Sequence, residues 1–270
     1  MREDNAPKGK WPVRVLRVAD RRSLSRSATR ALDVLEYFGM VRRPLRAIEI
    51  GRRFELHPST VNQLLKTMVD SAHLTFDAGS KTYLPSPRLA RFSRWMIDTF
   101  GSDERLAGLL ARIHAASDEI VTLTTPNDLF MQVIDLIGVD FAADDSDSAE
   151  RGLRVSMFGS AIGAAYLASL PHSEVRRLAD RARIPLGQHE VLLASLGQIR
   201  QDGFAQGPSR GDSFLSIAAA LPGNDLGVPL VLGIAGPAER MRGKMEHLSE
   251  VLRSSMADFG SQARSVSRQV

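Results

Sequence analysis

One stretch of helical patterning constrains this chain more than any other. Val61, Leu64, Leu65, Met68 and Val69 fall at i, i+3, i+4, i+7 and i+8, the apolar face of an amphipathic helix. Ser59 is expected as its N-cap, next to Pro58. The opposite face holds Thr60, Asn62, Gln63, Lys66 and Thr67, with no carboxylate before Asp70. Amides and hydroxyls of this kind pair with base edges, whereas a carboxylate is repelled by the phosphates around them. Upstream, Ala31, Leu32, Val34, Leu35 and Phe38 stripe a predicted helix from Ser27 to Phe38, ended by Gly39. A short helix is predicted from Arg46 to about Phe54, and only Glu55–Leu56–His57 separates it from the striped one.

Two helices joined by so short a turn, the second polar on its outer side, read as a helix-turn-helix. A plain amphipathic helix in a bundle is the alternative. The segment after Asp70 favours the helix-turn-helix. Leu74–Thr75–Phe76 and Lys81–Thr82–Tyr83–Leu84 flank Asp77–Ala78–Gly79–Ser80, the pattern of a β-hairpin with a polar turn. Three helices and a basic-tipped hairpin make a winged helix-turn-helix whose partner is double-stranded operator DNA. The expected base contacts are Ser59, Thr60, Asn62, Gln63 and Lys66, with Arg42, Arg43, Arg52 and Lys81 on phosphates.

Charge points the same way. Residues 1–100 carry 19 Lys and Arg against 10 Asp and Glu, and residues 101–270 carry 16 against 21. A basic first part on an acidic remainder suits a chain with one polyanion-binding domain. Residues 1–22, rich in arginine around Trp11, are expected as a basic tail, either solvated or following the DNA backbone. There are no cysteines, which excludes disulfides, thiolate metal sites and a cysteine nucleophile, and a cytoplasmic location is expected. No apolar run approaches the roughly 18 residues of a membrane helix, and no membrane partner is expected.

The expected fold class is α+β: a winged helix-turn-helix over 23–87, a linker helix over 88–118 interrupted near Gly101–Ser102, and a sheet domain with packed helices over 119–264, followed by a tail over 265–270. In that second domain, strands are predicted at 119–125, 129–137, 216–221 and 228–235. Helices are predicted from Ser160 to Leu170, from a cap at Ser173, from Glu190 to Gln201, and at the C-terminus on the stripe Met241, Met245, Leu248, Leu252, Met256 and Phe259. Ala142–Arg151, with Asp144, Asp145, Asp147 and Glu150, reads as a solvated acidic loop, since its spacing matches no metal-binding loop.

Enzymatic readings fare poorly. Gly211–Asp212–Ser213–Phe214 lacks the downstream Asp-x-x-His partner that a hydrolase of that pattern needs. Ser160 lies one residue off a Gly-x-Ser-x-Gly elbow. The histidines 57, 73, 114, 172, 189 and 247 show no metal-ligand spacing, and no phosphate-binding glycine loop occurs. No cofactor or metal is expected, and a serine hydrolase is only a remote alternative.

From Ser27 to Glu36, at Pro58–Leu65 and at Tyr83–Leu89, the chain resembles the IclR family of bacterial transcription regulators. The resemblance continues through Gly159–Pro171, Ile199–Ala205, Ser216–Ala220 and Gly233–Arg240, spanning roughly residues 23–262. It implies a homodimer or tetramer with a winged DNA-binding domain and a GAF/PAS-like effector-binding domain, and no enzymatic activity. Asn62 and Gln63 replace the family's usual His-Arg pair, and Glu55 stands at its turn glycine. Around the implied pocket, Ser156–Met157–Phe158 replaces Pro-Leu-His, Ala164 replaces a lysine, and Gly233 and Ala235 stand where serines are common. A buried carboxylate without donors costs several kcal/mol, so the expected effector is more apolar or aromatic than the usual oxo acid. It would touch Phe158, Gly159, Ser160, Phe214, Ser216, Gly233 and Ala235. The alternative is a filled cavity, with a second domain that serves only oligomerisation.

Overall fold

The computed structural model describes residues 13–16, 25–100, 104–138, 152–209, 213–222 and 228–266. The acidic segment Ala142–Arg151 and the Gly211–Asp212 pair lie outside them. The chain divides into two compact units, Arg21–Ser102 and Met1–Asp20 together with Asp103–Val270.

The Arg21–Ser102 unit is a winged helix-turn-helix. Helices α1 (Arg26–Val41), α2 (Ala47–Arg53) and α3 (Pro58–Asp70) are accompanied by the short strand β2 (Leu45–Arg46) and the hairpin β3 (Leu74–Asp77) and β4 (Thr82–Pro85), and α4 (Arg88–Phe100) leads out. The small sheet has the order β2-β4-β3. Val34 and Phe38 of α1, Ile50 of α2, Val61, Leu65 and Met68 of α3, and Leu45 and Leu74 of the sheet form its core.

Two helix ends differ from the sequence expectation. Gly39 does not stop α1, which runs on until Arg42 adopts the left-handed conformation (φ 49°) and closes it with an N–H bond to Phe38 O. The cap of α3 is His57 rather than Ser59: its Nδ1 faces the Ser59 N–H, and Pro58 and Ser59 are already helical. Proline at the first helical position lacks only an N–H that would go unpaired anyway.

The larger unit is built on one antiparallel sheet of seven strands, in the order β1-β7-β6-β5-β10-β9-β8. The strands are β1 (Val15–Leu16), β5 (Ile120–Asn127), β6 (Phe130–Ile137), β7 (Arg154–Ser156), β8 (Ala205–Pro208), β9 (Phe214–Ala220) and β10 (Val231–Pro237). The helices are α5 (Glu104–Ser117), α6 (Ala161–Ser169), α7 (His172–Arg181), α8 (His189–Asp202) and α9 (Ala238–Val266). Strands β1, β7 and β8 are short and fall outside the predicted set. Val15–Leu16, expected as part of a tail, thus form an edge of the sheet. Helix α7 starts after a Pro171 cap rather than at Ser173.

Both faces of the sheet are covered. Met131, Val133, Val155, Ala218 and Val231 pack under α6, α7 and α8. Val121, Leu123, Ile217, Ala219, Leu232 and Ile234 pack under α5 and α9. Because side chains alternate along a strand, neighbouring residues of β9 and β10 enter different cores, and both strands read as continuous apolar runs. Helix α6 sits so close to the chain before it that a Cβ on Gly163 would fall 1.8 Å from Met157 O. Among the described residues, no helix is long and apolar enough to cross a membrane.

The junction of α5, β5 and α9 is held by a buried carboxylate. The Glu119 side chain is 0% exposed and takes two bonds from the Arg240 guanidinium (2.6 and 2.7 Å) and one from Lys244 (3.3 Å). Lys244 and His247 also bond the last carbonyls of α5, at Ser117 (3.2 Å) and Ala116 (2.9 Å). Burial pushes the Glu119 carboxyl up, but the hydrogen bonds and charges of Arg240 and Lys244 outweigh it and hold the group below its ordinary value. A depressed carboxylate stabilises the fold above the ordinary carboxylate range, and that contribution is lost as pH falls through it.

Glu119→Ala is therefore expected to lower unfolding free energy by about 2 kcal/mol at neutral pH. The difference from wild type should shrink on acidification below about pH 4. Urea titrations of both proteins at the two pH values check this.

Candidate nucleic-acid interface and ligand site

Helix α3 buries Val61, Leu65 and Met68 and turns Ser59, Asn62, Gln63, Lys66 and Thr67 outward. The side chains of Asn62, Gln63 and Lys66 make no hydrogen bond or ion pair within the described residues. Ser59 is engaged, its hydroxyl 2.8 Å from His57 Nδ1. Thr60 is half-buried, and with Gln63 and Thr67 it lines a cleft of about 590 Å³ against α1. Asn62 lies at the other border of the exposed face, in a cleft shared with Ile48 and Arg52 of α2. The free surface of α3 is thus an arc of amide, hydroxyl and ammonium groups, convex and accessible, the form a duplex groove admits.

The expected phosphate contacts separate into two kinds. Arg52 and Lys81 are exposed and have no ion pair among the described residues, with Lys81 at the wing in the left-handed region (φ 55°). Arg43 is committed elsewhere: it pairs with Glu49 (2.7 Å) and bonds Pro44 O (3.0 Å). Hydrogen bonding and the charge of Arg43 hold the Glu49 carboxyl below its ordinary value, assisted by the Arg46 N–H at the start of α2. Arg42 reaches back to Gly39 O.

Two positioning residues escaped the sequence reading. His57 could have been suspected from its place before Pro58. Arg88 donates to Ser71 O (2.9 Å) and ties the start of α4 to the end of α3, which gives the arginine of Pro87–Arg88–Leu89 a local task.

In the larger unit, strand parity brings the expected ligand contacts together. Ser216 pairs with Ala235 and with Gly207, and Phe214 with Pro237. By alternation Phe214, Ser216, Gly233 and Ala235 share the face under α6 with Ala218 and Val231. Phe158, Gly159 and Ser160 form the turn into α6. Ser160 caps that helix, accepting from Gly163 N–H (3.2 Å) and donating to Ser156 O (2.7 Å). Ser216 is 3% exposed, and its hydroxyl has no hydrogen-bond partner among the described residues. The space over Gly233 is taken: a Cβ there would meet Ile162 Cγ2 and Thr122 Oγ1, both at 2.9 Å. The far end of α6 is closed by Arg200, which bonds the Ala168 and Leu170 carbonyls (both 2.8 Å). Among the described residues, no group of His, Asp or Glu could hold a metal ion.

Residues 27–77 match the model of the IclR helix-turn-helix domain. Over 229 residues, covering 80% of this chain and 79% of the relative, the sequence is 27% identical to the HTH-type transcriptional regulator BhcR of Paracoccus denitrificans. The fold resembles an IclR transcriptional regulator from Alicyclobacillus acidocaldarius (TM-score 0.54, 20% identity, 89% of this chain and 99% of that one). It also resembles the Thermotoga maritima IclR (TM-score 0.51, 16% identity, 87% and 98%).

The turn between α2 and α3 carries its own test. Glu55 has φ 51°, a conformation that costs a side-chain-bearing residue about 1–2 kcal/mol. Glu55→Gly is expected to raise the urea midpoint by the equivalent of about 1 kcal/mol, less the extra entropy glycine loses on folding. An unchanged or lower midpoint would count against strain at this turn.

Proposed function

We propose that this chain, which belongs to the IclR family of DNA-binding transcription regulators, reads its operator with the Ser59–Lys66 face of α3 and responds to a small, largely apolar or aromatic effector. The observation that carries the DNA half is the arc of Asn62, Gln63 and Lys66, exposed and unengaged on a helix whose other side buries Val61, Leu65 and Met68. Bidentate amide contacts suit adenine edges, and Lys66 suits a guanine or a phosphate. Arg52 and Lys81 supply phosphate contacts, and Arg42 and Arg43 join them only by giving up present partners. A homodimer or tetramer would set two recognition helices on two half-sites.

For the effector, support comes from the Ser216 hydroxyl, which makes no hydrogen bond among the described residues and shares a sheet face with apolar Phe214 and Ala235. None of the seven expected contact residues carries a charge, so a ligand there is held by shape and one hydroxyl. A second reading, a regulator without effector, is favoured by one observation: Ile162 already occupies the space over Gly233.

Gln63→Ala is expected to weaken specific operator binding by about 1–3 kcal/mol and to leave binding to random duplex nearly unchanged. Arg52→Ala should weaken both and reduce the salt slope by about 1. Fluorescence anisotropy over a salt series measures both, and equal losses for Gln63→Ala on the two DNAs would refute base reading by α3. Thermal unfolding with phenol, an uncharged aromatic, and with aliphatic oxo acids decides the effector. A rise in melting temperature with phenol, lost in Ser216→Val, supports the site, and no rise with either class supports the reading without effector.

A further inference from the structure

The N-terminal segment is not engaged as a basic tail would be. Val15 and Leu16 pair antiparallel with β7, opposite Val155 and Arg154. Val13 and Val15 pack against the core under α6. The Ser156 N–H donates to Arg14 O (2.8 Å), and its hydroxyl accepts from Arg14 N–H (3.0 Å) and donates to Phe158 O (3.1 Å). The Ser156 carbonyl accepts from the Ser160 hydroxyl (2.7 Å), which caps α6. One residue therefore links the docked segment to the first turn of α6. In chain order the same segment leads, through residues 17–25, directly into α1. The winged unit is thus joined to the larger unit at both ends of its own sequence.

We propose that residues 13–16 are a releasable strap whose docking on β7 sets both the capping of α6 and the strength of operator binding. A two-residue edge strand belongs to the parts of a fold that open most readily. Its release leaves the β7 edge to water, uncovers two valines and takes both Arg14 bonds away from Ser156, the residue whose hydroxyl and carbonyl hold the turn into α6 at Phe158 O and the Ser160 hydroxyl. Release also removes one of the two attachments of the winged unit. A unit held at both ends gives up less orientational freedom on binding than one held at one end, so the undocked state binds operator more weakly. Coupling of this kind is reciprocal, and anything that reshapes the first turn of α6 shifts the strap. The coupling stands whether or not a ligand binds beside α6.

The test compares full-length wild type with Leu16→Pro and Ser156→Ala by hydrogen–deuterium exchange and by operator binding over a salt series. Arg14 and Ser156 form a hydrogen-bonded pair, and the antiparallel alternation makes Leu16 and Arg154 the next one, so proline at 16 removes a ladder donor. Ser156→Ala keeps the ladder and removes only the shared hydroxyl. In Leu16→Pro, the amides of Arg154 and Ser156 should exchange at least tenfold faster and those of 163–165 several-fold faster. Operator binding should weaken at least fivefold with an unchanged salt slope. Ser156→Ala should accelerate 163–165 without exposing the amides of residues 154 and 156. Unmoved exchange at 163–165 in both variants, or operator affinity within twofold of wild type, would overturn the proposal. So would a flatter salt slope in Leu16→Pro, which would make the segment a phosphate-binding arm.

Discussion

The larger unit depends on one constraint: a single antiparallel sheet must keep both faces out of water. Its central strands β5, β10 and β9 satisfy this by sending alternate residues into two separate cores. Ile217 and Ile234 go to the α5 and α9 side, and Ala218 and Val231 to the α6 side, with no polar face left over. Everything functional in this unit follows from that parity. Ser216, Gly233 and Ala235 meet α6 because of it, and a one-residue register shift would turn them toward α9 instead.

The two faces are also closed differently. Toward α5 and α9 the packing is sealed by the buried Glu119 with Arg240 and Lys244, which pins the end of the linker helix to the start of α9. Toward α6 the contact is backbone on backbone: Gly163 lies against Met157, and the capping bonds of Ser160 and Arg200 fix both ends of the helix. The strands facing this helix carry small side chains, Ala218 on β9 and Gly233 and Ala235 on β10.

The winged unit was the more legible of the two. Its core is made within about 60 consecutive residues, and helical periodicity alone marked Val34, Phe38, Val61, Leu65 and Met68. What escaped were helix ends, which depend on φ rather than on hydropathy: Gly39 passed as helix, Arg42 took the left-handed turn and His57 the cap. In the sheet unit the long strands and helices were readable, because segments of seven or more largely apolar residues leave few alternatives. Strands β7 and β8 were not, since three or four residues carry no period. Strand β1 did leave a signal in the alternation Val13–Arg14–Val15, masked by the arginines around it. Its partner lies about 140 positions away, beyond the reach of local pattern.

By itself the sequence determined which residues seek a core and which are left polar, because periodicity and side-chain chemistry are local properties. That was enough to set out a carboxylate-free helix face, a wing and an α+β second unit. Only the tertiary structure decided which residues meet. It gave Arg43 to Glu49 and Arg88 to the end of α3, buried Glu119 between two cations, and docked the N-terminal segment on β7. Those pairings join positions far apart in the chain, and long-range closure is set by the register and packing of the whole sheet rather than by any single segment.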